Sequence, residues 1–293
     1  MRDFEYDAPA TLAEAVAVFQ EHNGRARPLA GGTDLIDHVR TGRLEPDVIV
    51  DVKQIPELNV LECSSDGLRL GAAVPCYKIY EHEQIQASYS AIADSCHIIG
   101  GIQIQNRATV GGNVCNASPA ADASPSLIAL EATCVIAGPQ GTRELPVEEF
   151  FSGPGRNVLQ PGELLVELKL PAPSQQSGSH YRRFIPRNEM DIAVVGVGAA
   201  VTLDEAGQLF ERARVGLGAV APTPLLVEEV DGLLQGQPVN EESIERAASA
   251  ARSLAKPIDD MRGTVEFRKH VAGVLTRRVL WEAVARARGD SAR

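Results

Sequence analysis

The sequence predicts an α/β N-terminal region followed by a separate α+β C-terminal unit. Three observations carry that prediction. Amphipathic helix patterns alternate with short apolar strands over the first 55 residues. A Gly-, Asn- and Thr-rich stretch interrupts the next 118. Beyond a polar string at 174–179 (SQQSGS), two strand-like runs precede two helix-like runs.

Residues 1–55 read as a small α/β subdomain. Thr11-Leu12-Ala13-Glu14 fits a capping box, and Leu12, Val16 and Phe19 share one helical face. That helix, about 11–22, ends near Asn23-Gly24. Arg27-Pro28-Leu29-Ala30 then enters the tight loop Gly31-Gly32-Thr33-Asp34, and Leu35 to Arg40 follows as a second helix. Val48 to Val52 is an apolar strand of the kind buried in parallel sheets.

Residues 56–173 form the second subdomain. Leu68 to Ala72 predicts a strand, and 86–99 a helix with Ile92, Cys96 and Ile99 on one face. Residues 103–118 read as loop. Ser124 is the expected N-cap of a short helix, with Pro125 as its first residue. Thr133 to Ala137 and the turn Gly138 to Gly141 follow. After the linker, residues 180–293 supply strands at 192–203 and 213–220 and helices at 241–255 and 265–287.

The 293 residues suffice for two or three domains. A net charge of −11 and an aromatic fraction of 4% argue against nucleic-acid binding. No apolar run approaches the ~18 residues that a membrane span needs. The N-terminus lacks a basic head and apolar run, so the expected location is cytoplasmic. Cys63, Cys76, Cys96, Cys115 and Cys134 are scattered and form no CxxC pair. They predict reduced, mostly buried thiols and no metal or cluster held by this chain alone.

Two glycine-rich segments carry the chemistry. In the first, Pro28 to Ile36, paired glycines let backbone N–H groups approach an anion, and a helix start follows. Neither GxxxxGK[ST] nor GxGxxG is present, so this is neither a P-loop nor a Rossmann fingerprint. The second, Ile99 to Pro125, combines Thr109-Val110-Gly111-Gly112-Asn113 with Asn116-Ala117-Ser118-Pro119 and Asp122. Two anion-friendly segments far apart in sequence suit one elongated ligand with a diphosphate centre, such as FAD.

At these residues the chain resembles the flavoprotein subunit of the xanthine dehydrogenase / carbon monoxide dehydrogenase family of molybdenum hydroxylases. AGGTDL (30–35), ATVGGNVCNASPAAD (108–122), FFSGPGRNVLQPGELL (150–165) and YRRFIPRNEMDIAVV (181–195) carry the resemblance, which runs over nearly the whole chain. It implies an FAD-binding fold of the vanillyl-alcohol-oxidase (PCMH) type: two N-terminal α/β subdomains, then a small α+β domain. It implies that Leu29, Ala30, Gly31, Gly32, Thr33, Asp34 and Leu35 hold the diphosphate. Thr109, Gly111, Gly112 and Asn113 would form the second cradle, and Ser118 and Asp122 would bind ribityl or ribose hydroxyls. Cys115, Leu159 and Arg183 would lie near the isoalloxazine ring and Ile99 near the adenine.

Two departures stand out. Gln105 replaces a frequent Arg, which removes one expected ionic contact. Thr33 stands where some flavoproteins have His, so the resemblance implies non-covalent FAD. It also implies partners: a small subunit with [2Fe–2S] clusters and a large molybdopterin subunit, assembled as a dimer of heterotrimers. This chain would be the last relay, with no acid–base residue of its own. Two other readings compete. A self-contained flavin oxidase would need a substrate-binding cap domain. A non-enzymatic nucleotide-binding assembly module would be colourless when purified.

Overall fold

The computed structural model describes residues 2–290. The N-terminal unit contains β1 (Glu5–Asp7), α1 (Leu12–Glu21), β2 (Ala26–Leu29), α2 (Leu35–Arg40) and β3 (Val48–Asp51). The strands pair in parallel in the order β1-β3-β2. β3 is central and buried on both faces, which explains its unbroken apolar run. Ala15 and Phe19 of α1 pack with Val48, Val50 and Val52. The capping box forms: Thr11 Oγ1 accepts from Glu14 N–H, and the Glu14 carboxylate accepts from Thr11 N–H. β1 is exposed along its length and has no apolar pattern by which to be predicted.

The middle unit runs through β4 (Leu61–Ser64), β5 (Gly67–Gly71), α3 (Cys76–Tyr80), α4 (Glu83–Ser88), α5 (Ser90–Ile98), α6 (Ile102–Gln105), α7 (Val110–Asn116) and α8 (Ala123–Ala129). It continues with β6 (Thr133–Gly138), β7 (Gly141–Pro146), β8 (Phe151–Gly153), β9 (Arg156–Asn157) and β10 (Leu164–Pro171). Its main sheet, β4-β5-β10-β6-β7, is antiparallel throughout. β10 arrives late in the chain and inserts between β5 and β6.

Three local expectations are corrected here. The helix expected over 86–99 is two helices that meet at Tyr89, whose ring is buried and whose hydroxyl donates to the Pro171 carbonyl. That tertiary anchor turns the chain where the periodicity alone would continue it. Residues 103–118 are not simply loop. Thr109 Oγ1 accepts from Gly112 N–H and starts α7 despite its poor helix formers. Ser124 is not an N-cap: α8 begins at Ala123, whose N–H donates to Asn113 Oδ1. A residue ten positions away thus supplies the cap, and Ser124 lies fully buried inside the first turn.

The C-terminal unit has β11 (Ser177–Phe184), β12 (Val195–Leu203), β13 (Phe210–Gly218) and β14 (Leu225–Leu226), antiparallel in sequence order. α9 (Glu229–Leu234), α10 (Glu241–Leu254) and α11 (Val265–Ala287) follow. The first strand starts at Ser177, inside the segment expected to be linker. α10 and α11 close one face of this sheet. α5 and α8 of the middle unit lie on the other. Gly198 and Gly216, register partners on β12 and β13, make room for the Pro125 carbonyl at the start of α8.

Candidate cofactor-binding site

The fold brings the two glycine segments into contact. A Cβ on Gly31 would overlap the Arg107 carbonyl, and Arg107 Nε donates to the Gly31 carbonyl at 3.1 Å. The second segment is itself pinned: Cys76 N–H donates to the Ala108 carbonyl, and Gly111 lies directly against Ala72. Gly32 takes φ +75°, a conformation open to glycine at no steric cost.

Among the described residues, the N–H groups of Gly31, Gly32, Thr33, Asp34 and Leu35 find no acceptor within the chain. Among the same residues that of Gly111 finds none either. Such clustered donors at two adjoining backbone turns make a concavity suited to an anion. Thr33 is half-buried and Asp34 exposed, and neither side chain is engaged in a hydrogen bond among the described residues. Leu29, Ala30 and Leu35 are half-buried around the same turn.

From this cradle α7 leads toward a second, buried group. Thr109 sits at its start and Cys115 near its end. Thr109 Oγ1 and Asn113 Oδ1 both serve the local backbone, as above, so Asn113 keeps its Nδ2 for other partners. Ser118 Oγ accepts from Ala120 N–H at 3.3 Å. Leu159 and Cys115 are half-buried against the same core, and Asn157 ties their segments together. Its Nδ2 donates to the Cys115 carbonyl and its Oδ1 accepts from Leu159 N–H. Burial pushes the Cys115 thiol up to about 12, which keeps it protonated and unreactive at neutral pH. Ile99 follows α5 and is buried in this core.

Asp122 precedes α8 and is buried, but its partners come from this chain. Tyr181 Oη donates to Oδ1 at 2.7 Å and Arg183 Nη1 to Oδ2 at 2.6 Å. Two side chains of β11 thus hold the carboxylate in place, one at each oxygen, and each oxygen keeps a further lone pair for a ligand hydroxyl. Burial raises the Asp122 carboxyl to about 6 and outweighs the pull of Arg183 and Tyr181. Arg183 Nη2 donates to the Ile98 carbonyl, whereas its buried Nε–H has no acceptor among the described residues. An orphaned guanidinium N–H, with the side chain only 5% exposed, fits a site that a further acceptor completes.

Sequence reasoning missed Tyr181. The signal was available: residues two apart on a strand share a face, so Tyr181 accompanies Arg183. Gln105 is buried and donates to the His97 carbonyl at 2.7 Å, an interior role that an ionic contact would not fill. Nearby, Asp94 of α5 binds His180 Nδ1 at 2.6 Å and Arg286 at 2.7 Å, joining α5, β11 and α11 at the edge of an open cavity of about 1090 Å³. Its burial disfavours the charge, but hydrogen bonds from His180 and Arg286 hold its carboxyl below the ordinary value. All five cysteines are free, and among the described residues no group of His, Cys, Asp and Glu could hold a metal.

Two family descriptions match in tandem. The FAD binding domain in molybdopterin dehydrogenase matches residues 2–173, and the CO dehydrogenase flavoprotein C-terminal domain matches 180–283. The chain belongs to this molybdopterin-dehydrogenase flavoprotein family. It is 33% identical over 292 residues to the xanthine dehydrogenase FAD-binding subunit of Escherichia coli O157:H7, covering 99% of both chains. It is 32% identical to the carbon monoxide dehydrogenase medium chain of Hydrogenophaga pseudoflava, covering 97% of this chain and 98% of that one. The structure matches carbon monoxide dehydrogenase from the same organism with a TM-score of 0.92 at 30% identity, over 97% of this chain and 98% of the other. Quinoline 2-oxidoreductase from Pseudomonas putida 86 matches at 0.88 and 26%, over 99% and 98%. The family and mixed α/β fold expected from the sequence are therefore borne out, as is the oxidoreductase class.

Proposed function

We propose that this chain is the FAD-carrying relay of a molybdenum hydroxylase, taking electrons from [2Fe–2S] clusters of a partner subunit and delivering them to an external acceptor. The observation that carries the reading is the packing of Gly31 against Arg107 and Ala108. It unites two segments, 76 positions apart, in which the amides of Gly31 to Leu35 and of Gly111 find no acceptor among the described residues. Bound there, FAD would supply a ring able to accept and pass on electrons.

The chain's own residues bind and orient. The backbone from Leu29 to Leu35 and the turn at Thr109, Gly111, Gly112 and Asn113 hold the diphosphate. Thr33 and Asp34 add side-chain contacts. Ser118 and Asp122 bind ribityl or ribose hydroxyls, and Ile99 lies toward the adenine. Cys115, Leu159 and Arg183 face the ring, with Arg183 placing a positive charge there. Free thiols throughout suit a reducing, cytoplasmic setting.

Reconstituted protein is expected to hold one FAD per chain, without a covalent link. Acid precipitation then releases all yellow colour to the supernatant, and flavin left in the pellet contradicts the reading. With a ferredoxin-like small subunit and a molybdopterin large subunit, the expected assembly is a dimer of heterotrimers. Native-source protein sedimenting only as a lone 31.3 kDa chain would refute that assembly.

A further inference from the structure

The buried trio Asp122, Tyr181 and Arg183 crosses from the middle unit to β11. Tyr181 and Arg183 project from one face of the strand, and each binds a different oxygen of the same carboxylate. A carboxylate gripped at both oxygens cannot rotate, so each partner fixes the other's position. The Tyr181 hydroxyl fits because residue 196 is glycine: a Cβ there would lie 2.7 Å from it. Gly196 is the register partner of Arg183 on β12. The room for the hydroxyl and the placement of the guanidinium are thus set by one strand pair. Two of the three Arg183 nitrogens are committed, to Asp122 and to the Ile98 carbonyl, and Nε alone is left over. Leaving such a donor buried and unpaired is costly, so this arrangement holds it in readiness for an acceptor.

We propose that Tyr181 is a positioning residue for the flavin: by donating to Asp122 Oδ1 it orients the carboxylate, whose Oδ2 then aims Arg183 so that its Nε–H meets an acceptor on the bound cofactor. This rests on the reading above, in which Arg183 faces the ring. Tyr181 itself touches neither the flavin nor a substrate. Its influence passes through Asp122. A guanidinium held near the ring stabilises negative charge arriving on it, so loosening Arg183 makes the bound flavin harder to reduce.

The test compares Tyr181→Phe, Gly196→Ala and Arg183→Gln in the full chain. The readouts are FAD titration of apo-protein, the midpoint potential of the bound flavin and the melting temperature without FAD. Tyr181→Phe keeps the ring and removes only the hydroxyl. Gly196→Ala leaves the trio's sequence intact and displaces that hydroxyl. Both are expected to weaken FAD binding about five- to tenfold, the loss of roughly one hydrogen bond. Both are also expected to shift the potential to more negative values in the same direction as Arg183→Gln. If Arg183→Gln leaves affinity and potential at wild-type values, the ring contact itself is wrong. If Arg183→Gln moves both while Tyr181→Phe and Gly196→Ala move neither, the positioning role is overturned. A lowered apo melting temperature with unchanged potential would make Tyr181 purely structural and also overturn it.

Discussion

Replacing Gly31 by alanine tests the junction of the two glycine segments directly. The new Cβ would overlap the Arg107 carbonyl and crowd the Ala108 Cα at 3.0 Å. Both neighbours are backbone, so no side chain can rotate away, and the segments must part. Overpacking of this kind costs about 1–3 kcal/mol. At roughly 2–4 °C per kcal/mol for a chain of 150–250 residues, the apo-protein should melt about 2–12 °C lower. The effect on FAD should be larger than the effect on the fold. A shift of the Gly31–Leu35 amides lengthens hydrogen bonds to a charged diphosphate, each contributing about 1.5–3 kcal/mol, so affinity should fall at least ~10-fold. Gly24→Ala is the control. Gly24 has φ +81° and nothing within 4 Å of a Cβ, so the change adds backbone strain on the order of 1 kcal/mol without touching either segment. Fluorescence titration of FAD with both variants decides the matter. If Gly31→Ala binds FAD within twofold of wild type, the two segments do not form one cradle.

Three further outcomes follow from the geometry. The Asp122 carboxyl is raised in the folded state, so the native protein binds its proton more readily than the unfolded chain and this group's contribution to stability declines as pH rises from about 4 to 6. Asp122→Asn should remove that component, and identical pH slopes in urea unfolding of the two proteins would rule it out. Asp94 is lowered, so its contribution is present above the ordinary carboxylate range and lost as pH falls through its folded value. Asp94→Ala should cost about 1.5–3 kcal/mol at neutral pH, read from the denaturation midpoint, by freeing His180 and Arg286; an unchanged midpoint would show that the three-element junction carries no stability. Gly216→Ala would drive a Cβ into the Pro125 carbonyl and lift α8 from the sheet, at about 1–3 kcal/mol. A wild-type melting curve would contradict that tight approach.

The sequence alone determined much that is local and periodic. The capping box at Thr11, the buried strand at Val48, and the helix over Val265–Ala287 were legible because their signals lie within a few turns of chain. The paired glycines were legible as places where backbone can meet an anion, and the motif strings tied them to one family. What only the tertiary structure decided concerns partners distant in sequence. Tyr89 breaks a helix by reaching Pro171, and Asn113 caps a helix that its own residues do not cap. Asp122 illustrates the limit best. Composition marked it as a carboxylate among small residues, which must find donors on burial. Whether those donors belonged to a ligand or to β11 depended on a strand 59 and 61 residues away folding over α8, and no local pattern encodes that approach.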